Sequence, residues 1–239
     1  MGVIIFNGVS SLDCHVQVEH PPGYETPERD YEVTHVPGRN GDILMDKGSF
    51  KNVTRTYQIA VCGSAESFAG MANQVSEWLH SVAGYARLED SYEPEYYRIA
   101  MYEGSVEIEN LFAKAGRASI SFNCKPQRFL KSGEQTVRFV GKGKIFNPTR
   151  FMALPVITVK GSGRGILNVG GFTVSISDIA ASITINCDIQ DVYSGTQNRN
   201  SAVTFMTNRV FPKLSPGDNE ISYSGGITSV EVIPNWWTL

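Results

Sequence analysis

Four cysteines in 239 residues, none of them in a Cys-x-x-Cys pair, supply neither a disulfide framework nor a zinc site. Cys62 and Cys124 each close an alternating apolar run, where a small buried thiol is the expected occupant, so an oxidising compartment is not implied. Cys14 and Cys187 stand alone, and the four histidines, His15, His20, His35 and His80, are scattered. There is no His-Glu-x-x-His and no nucleophile elbow of the Gly-x-Ser-x-Gly kind. Also missing is any apolar run approaching the roughly 18–20 residues of a membrane span. The start, MGVIIFNGVSS, has no basic stretch ahead of its short apolar run, and a secretory signal is not expected. Basic clusters are lacking too. Residues 1–130 carry 11 Lys/Arg against 17 Asp/Glu, a net of −6, and residues 131–239 carry 10 against 7, a net of +3. Neither part can neutralise a run of phosphates, so stable nucleic-acid binding is not expected. What these absences leave is a soluble protein folded in a cytoplasm, without cofactor or metal.

What is present is period-two alternation. In VTRTYQIAV, Tyr57, Ile59 and Val61 share one face and Thr56, Gln58 and Ala60 the other; in ASISFNC, Ala118, Ile120, Phe122 and Cys124 line one side. Half-buried antiparallel strands need this pattern. One segment departs from it. Ser64–Gly84 places Phe68, Met71, Val75, Trp78, Leu79 and Val82 at helical spacing, which predicts an amphipathic helix over about 65–83, with Ser64 as N-cap and Gly84 at its end. From Glu19 to Asn52, prolines and VPGRNGD predict little regular structure apart from a hairpin or excursion around Tyr31–Val36. Such long irregular segments in compact domains usually contact something.

A polar, basic stretch, CKPQRFLKSGEQ, puts a domain boundary near Lys131–Gly133, dividing the chain into residues 1–133 and 134–239. Beyond it short strands (PVITVKGSG, GILNVGG, FTVSIS, ASITINC, NEISYSGG, ITSVEVI) alternate with glycine- and Asp/Asn-rich turns, the pattern of a β-sandwich.

The segment LEDSYEPEYYRIA crowds Glu89, Asp90, Glu93 and Glu95 together. Carboxylates this close could face each other across a sugar. Their position before Pro94 and a new strand instead makes them the acids of a connecting loop, and the segment lacks the alternating Asp/Asn and glycine of a calcium loop. On that reading, alanine at all four shifts stability by no more than exposed charges do. GSGRG (residues 161–165) lacks the Lys-Ser/Thr ending of a phosphate loop and reads as a glycine turn between strands. For sugar stacking the candidates are Trp236, Trp237 and Tyr193. Adjacent tryptophans on a strand face opposite ways, so one of that pair at most is free for it.

VPGRNGDIL, the Asp-x-x-x-Pro-x-Tyr-Tyr-Arg-x-Ala run from Asp90 to Ala100, and CKPQRFLKSGE occur in an order that resembles the N-terminal domain of siphophage distal tail (Dit) proteins over residues 1–133. The remainder, with IFNPTRFMALPVITVKGSG and FPKLSPGDNEISYSGG, looks like the galectin-like sandwich that follows it in that family. The resemblance implies a mainly β protein: a β-sandwich-like domain with one helix and an extended arm, then a galectin-like sandwich. It implies a non-enzymatic structural protein, a homo-hexameric ring at the distal end of the tail tube with an open lumen for DNA passage. Its partners would be the tail tube protein, the tail-tip hub or tail-associated lysin, and a receptor-binding protein. Its place would be the virion tail tip, after assembly in the host cytoplasm. The arm residues Val36, Pro37, Gly38, Arg39, Asn40, Gly41, Asp42, Ile43 and Leu44 become candidates for the contact with the next subunit. The −6 of the first part suits an acidic lumen. The alternative is a carbohydrate-binding module that attaches a phage to cell-wall sugars.

Overall fold

The structure, a computed structural model, describes residues 2–63, 67–105, 107–112 and 115–239. The chain is mainly β and divides into two compact units, residues 1–128 with Leu239, and residues 129–238. The division falls at Arg128/Phe129, ahead of Lys131–Gly133. CKPQRFL continues a long strand to Leu130.

The first unit contains β1 (Ile4–Phe6), β2 (Val9–Ser10), β3 (Val16–Val18), β4 (Arg29–Thr34), β5 (Ile43–Phe50), β6 (Val53–Cys62), α1 (Phe68–Leu79), β7 (Ala86–Asp90), β8 (Tyr96–Tyr102), β9 (Glu109–Phe112) and β10 (Ala115–Leu130). Its sheet runs in the order β2-β1-β7-β8-β10-β6-β3. Gly2, just ahead of β1, exchanges backbone hydrogen bonds of 2.9 and 3.0 Å with Val18 of β3, so the sheet curls until β1 and β3 meet. Inside lie Ile4, Phe6, Tyr57, Ile59, Val61, Ile120 and Phe122, closed over by Met71, Val75, Trp78 and Leu79 of α1. Alternation also decides the cysteines. Cys124 shares its parity with Ile120 and Phe122 and is buried. Cys62 follows the inward Val61, so it must face out, and it is exposed, against the expectation of a buried thiol.

The helix is shorter than its apolar periodicity. Its N-cap is Ser67, whose Oγ accepts from Gly70 N at 3.2 Å, and Ser64 lies outside the described residues. It stops at Leu79 without needing Gly84. The His80 ring nitrogen sits 2.9 Å from Ser76 O, and Ser81 Oγ donates to Trp78 O at 2.7 Å, satisfying carbonyls that a further turn would have used.

The second unit contains β11 (Val137–Phe139), β12 (Gly143–Asn147), β13 (Val156–Val169), β14 (Phe172–Ile176), β15 (Ala181–Asn186), β16 (Asp191–Ser194), β17 (Gln197–Asn198), β18 (Val203–Phe205), β19 (Gly217–Ile233) and β20 (Trp237–Thr238). The long β13 and β19 pair side by side and carry four others: β11 and β12 on β19, β15 and β14 on β13. GSGRG is therefore not a turn. It lies within β13, at a register shift where that strand and the Ser224–Ile227 part of β19 bend together. Glycine is required because the backbones nearly touch: a Cβ on Gly226 would stand 1.7 Å from Ser162 O, and one on Gly161 would stand 2.1 Å from Gly226 O. The core around this bend is aliphatic, with Ile157, Val159, Leu167, Ile183, Ile185, Val230 and Val232 all excluded from solvent.

Candidate functional site

Residues Arg29–Phe50 form a hairpin of their own, β4 against β5, paired with neither large sheet. Within Glu19–Asn52, read as largely irregular apart from a hairpin or excursion around Tyr31–Val36, the hairpin is longer than expected, because each half carries residues that pair across: Val33 opposite Leu44, Thr34 opposite Ile43, Glu32 opposite Met45. Register puts Tyr31, Val33 and Leu44 on one face and Ile43 and Met45 on the other. All five are exposed, by 40% or more of their surface. A two-stranded hairpin with bare apolar faces is marginal alone, and its unpaired edges invite another chain. Ion pairs hold its shape: Arg29 to Asp46 at 2.7 Å, Lys51 to Glu28 at 3.2 Å, Lys47 to Asp30 at 3.6 Å. Residues Val36–Asp42 make the tip, where His35 Nδ1 sits 3.0 Å from Asp42 Oδ1 and Gly38 and Gly41 both take positive φ. Ile43 and Leu44 open β5, so the nine arm candidates form one continuous projecting surface, exposed throughout except the half-buried Val36.

A cluster around Asp90 and Arg55, in reach of Gly23 ahead of the arm, is one that the loop reading of LEDSYEPEYYRIA did not foresee. Asp90 and Arg55 are buried, their side chains 4% and 5% exposed, and they meet at 3.2 Å. Arg55 also reaches Glu93 at 3.1 Å; Arg98 reaches the same carboxylate at 3.3 Å, and Arg128 pairs with its other oxygen. Asp90 is fully used. Its Oδ2 accepts from Tyr57 Oη at 2.8 Å, and its Oδ1 accepts from the backbone N–H groups of Tyr92 and Glu93, both at 2.9 Å. Burial, followed by the charge of Asp90, pushes the Tyr57 hydroxyl well above its ordinary pKa and keeps it a donor. Burial opposes the charge on Arg55, but Tyr57, Asp90 and Glu93 outweigh it and raise its pKa. The expectation that all four acids behave as exposed loop charges is therefore wrong for Asp90 and Glu93, and holds in position for Glu95, which is exposed. Glu89 is half-buried and accepts from Arg87.

The cluster leaves little open space. The cavity among Tyr57, Asp90, Glu93, Tyr96 and Arg98 measures about 10 Å³, barely the room of one water molecule. Among the described residues no group of three His, Cys, Asp or Glu is placed to hold a metal ion. The two most buried thiols are pushed up by desolvation, Cys124 to about 11 and Cys187 to about 12, which leaves them protonated and unreactive at neutral pH.

In the second unit the three sugar candidates do not come together on an open face. Trp236 is 5% exposed, within the core. Trp237 stacks on Phe151 at 4.5 Å, with its Nε1 donating to Met152 O at 3.0 Å. Tyr193 sits half-buried on β16 between Thr184 and Asn198. An open groove of this unit, about 410 Å³, lies elsewhere, lined by Arg164, Ile166, Ser175, Ser177 and Ser224 among others, with no aromatic ring.

The crystal structure of SPP1 Dit (gp 19.1), described as a paradigm of the hub adsorption apparatus in phages infecting Gram-positive hosts, superposes with a TM-score of 0.73. The match covers 100% of both chains at 12% sequence identity. The chain has the fold of a phage Dit protein. At the level of sequence, no family model and no curated protein matches. The segments that carried the resemblance have definite places in this fold. VPGRNGDIL is the arm tip, while Asp90 and Arg98 of the Asp-x-x-x-Pro-x-Tyr-Tyr-Arg-x-Ala run belong to the buried cluster.

Arg55, Arg98 and Arg128 were not foreseen as partners of these acids, although a signal existed for each; Arg128 has the parity of Ile120, Phe122 and Cys124 on β10. Arg55 has the parity of Tyr57, Ile59 and Val61 on β6, and Arg98 has that of Ala100 on β8. A charged residue at an inward position requires a partner of opposite sign.

Proposed function

We propose that the chain is a structural hub of a phage tail tip, acting in host adsorption. Six copies form a ring at the distal end of the tail tube, around a lumen through which DNA passes. Residues 1–133 make the ring, and residues 134–239, a galectin-like sandwich, project from it. The observation that carries this reading is the likeness to SPP1 Dit along the whole of both chains, despite an identity of 12%. The arm supports it independently. A hairpin with bare apolar faces suits a clasp on the next copy in a cyclic, head-to-tail contact, made by Val36–Leu44 and its flanks. The tail tube protein binds one side of the ring and the tail-tip hub or lysin the other, with a receptor-binding protein carried further out. The excess acid of the first part lines the lumen and repels passing DNA.

Light scattering on the purified protein, with negative-stain images of the same fractions, tests the ring. Six copies of a 26.3 kDa chain, about 158 kDa, with an open centre are expected. Deleting Arg39–Asp42 should abolish the ring while leaving a monomer with an unchanged melting temperature. A ring that survives the deletion removes the arm from the interface.

A further inference from the structure

The two legs of the arm are attached in different ways. The second leg runs from Phe50 directly into β6, and Asn52 Nδ2 secures it at 2.7 Å to both Tyr85 Oη and Asn123 Oδ1. The first leg, His20–Glu28, contains no strand and three prolines, Pro21, Pro22 and Pro27, which stiffen the chain and offer no N–H. Its contacts with the curled sheet include two that buried or half-buried arginines make. Arg55 Nη1 donates to Gly23 O at 3.2 Å, and the Arg128 guanidinium carbon lies 5.0 Å from the centroid of the Tyr24 ring. Both arginines are fixed from behind. Arg55 is held by Asp90, Glu93 and Tyr57. Arg128 is held by Glu93, by the Tyr96 ring at 5.1 Å, and by Leu239 O, which accepts from its Nη2 at 2.6 Å.

We propose that Arg55 and Arg128 are positioning residues for the arm. The buried cluster is an anchor whose outward-reaching donors fix where the first leg leaves the barrel, and so the direction in which the hairpin projects. A leg held in one place has less freedom to lose when the arm docks, which favours assembly without adding a contact. That last consequence rests on the ring reading above; the anchoring itself does not.

Tyr24 isolates the arm side of the anchor, because it is 62% exposed and the fold does not depend on it. A glutamyl endopeptidase cutting after Glu25 and Glu28, followed by mass spectrometry on dilute monomer, reads how often the leg lifts away. Tyr24→Ala should be cut about 2- to 5-fold faster than the wild type, the factor expected from loss of an exposed cation–π contact. Its melting temperature should not change, and Tyr24→Phe, which keeps the ring face, should restore the wild-type rate. Arg128→Met should be cut faster still, with a lower melting temperature because Glu93 also loses a partner. Equal cleavage of wild type and Tyr24→Ala overturns the anchor. Light scattering on the same variants reads the ring separately: faster cleavage with an undiminished ring keeps the anchor and discards the arm's part in assembly.

Discussion

The two units bury polar groups of different kinds. Among the described residues, the first encloses charges, Arg55, Asp90 and Arg98, while the second encloses only neutral polar residues, Asn147, Asn219 and Ser229. The asparagines bond backbone carbonyls and amides: Asn147 Nδ2 donates to Phe151 O nearby and to the distant Leu214 O, and Asn219 bonds the backbone of Ser215 and Gly217. The arginines do something else. They join β6, β8 and β10 to the turn after β7 and to the root of the arm. Buried ion pairs add little net stability over apolar packing, because desolvation offsets most of their attraction. What they add is geometry, since each donor accepts only one arrangement of its partners. The unit that carries the projecting arm holds its frame by directional contacts; the other is shaped by aliphatic packing and by a backbone crossing that only glycine allows.

Breaking a charge in the first unit should have the largest effect. Asp90→Ala leaves the Tyr57 hydroxyl and two backbone N–H groups without their acceptor and strips Arg55 of one partner, so a loss of about 3–5 kcal/mol is expected in urea denaturation. A loss below about 1 kcal/mol would show that Asp90 behaves as a surface acid and erase the contrast. In the second unit the sensitive point is the backbone. Gly226→Ala sets a methyl group against Ser162 O and should cost about 2–3 kcal/mol by strain, measured the same way, without disturbing the arm.

High pH sharpens the comparison from another side. Burial raises Cys187 from 9.0 to about 12 in the second unit and Cys124 from 9.0 to about 11 in the first. A thiol whose pKa is raised by folding stabilises the folded state fully below its unfolded pKa, and that contribution is lost as pH rises through the folded value. The melting temperature should therefore be level up to about pH 9 and fall beyond it. Cys187→Ala should melt lower at pH 7 but lose less between pH 9 and 11 than the wild type. The smallest effect belongs to Glu95→Ala, an exposed acid a short way from Asp90, which should stay within about 0.5 kcal/mol of the wild type. That gap between two acids of one loop is the contrast at its closest range.

Periodicity by itself determined a good deal: period two gave the β class and the inward residues of β6 and β10, and helical spacing gave the helix and its buried stripe. It also contained the outward direction of Cys62 and the inward direction of Arg55, since in a strand the side-chain face follows from counting by two. Other features were decided only in three dimensions. Glycine-rich GSGRG reads the same whether the chain reverses or merely bends. The bend exists because β19 crosses there with its own glycines, about sixty residues along the chain. The helix end was set by His80 and Ser81 turning back on the last carbonyls, before the glycine that a local rule would choose. The roles of Asp90 and Glu93 required Arg55, which is 35 residues before Asp90, and Arg128, which is 35 residues after Glu93. A carboxylate's neighbours in sequence say that it can face water; its neighbours in space say whether it does. The order of segments thus determined the fold and the arm, and tertiary structure alone decided which charges face the solvent and which hold the frame, because desolvation and pairing act between residues that meet only after folding.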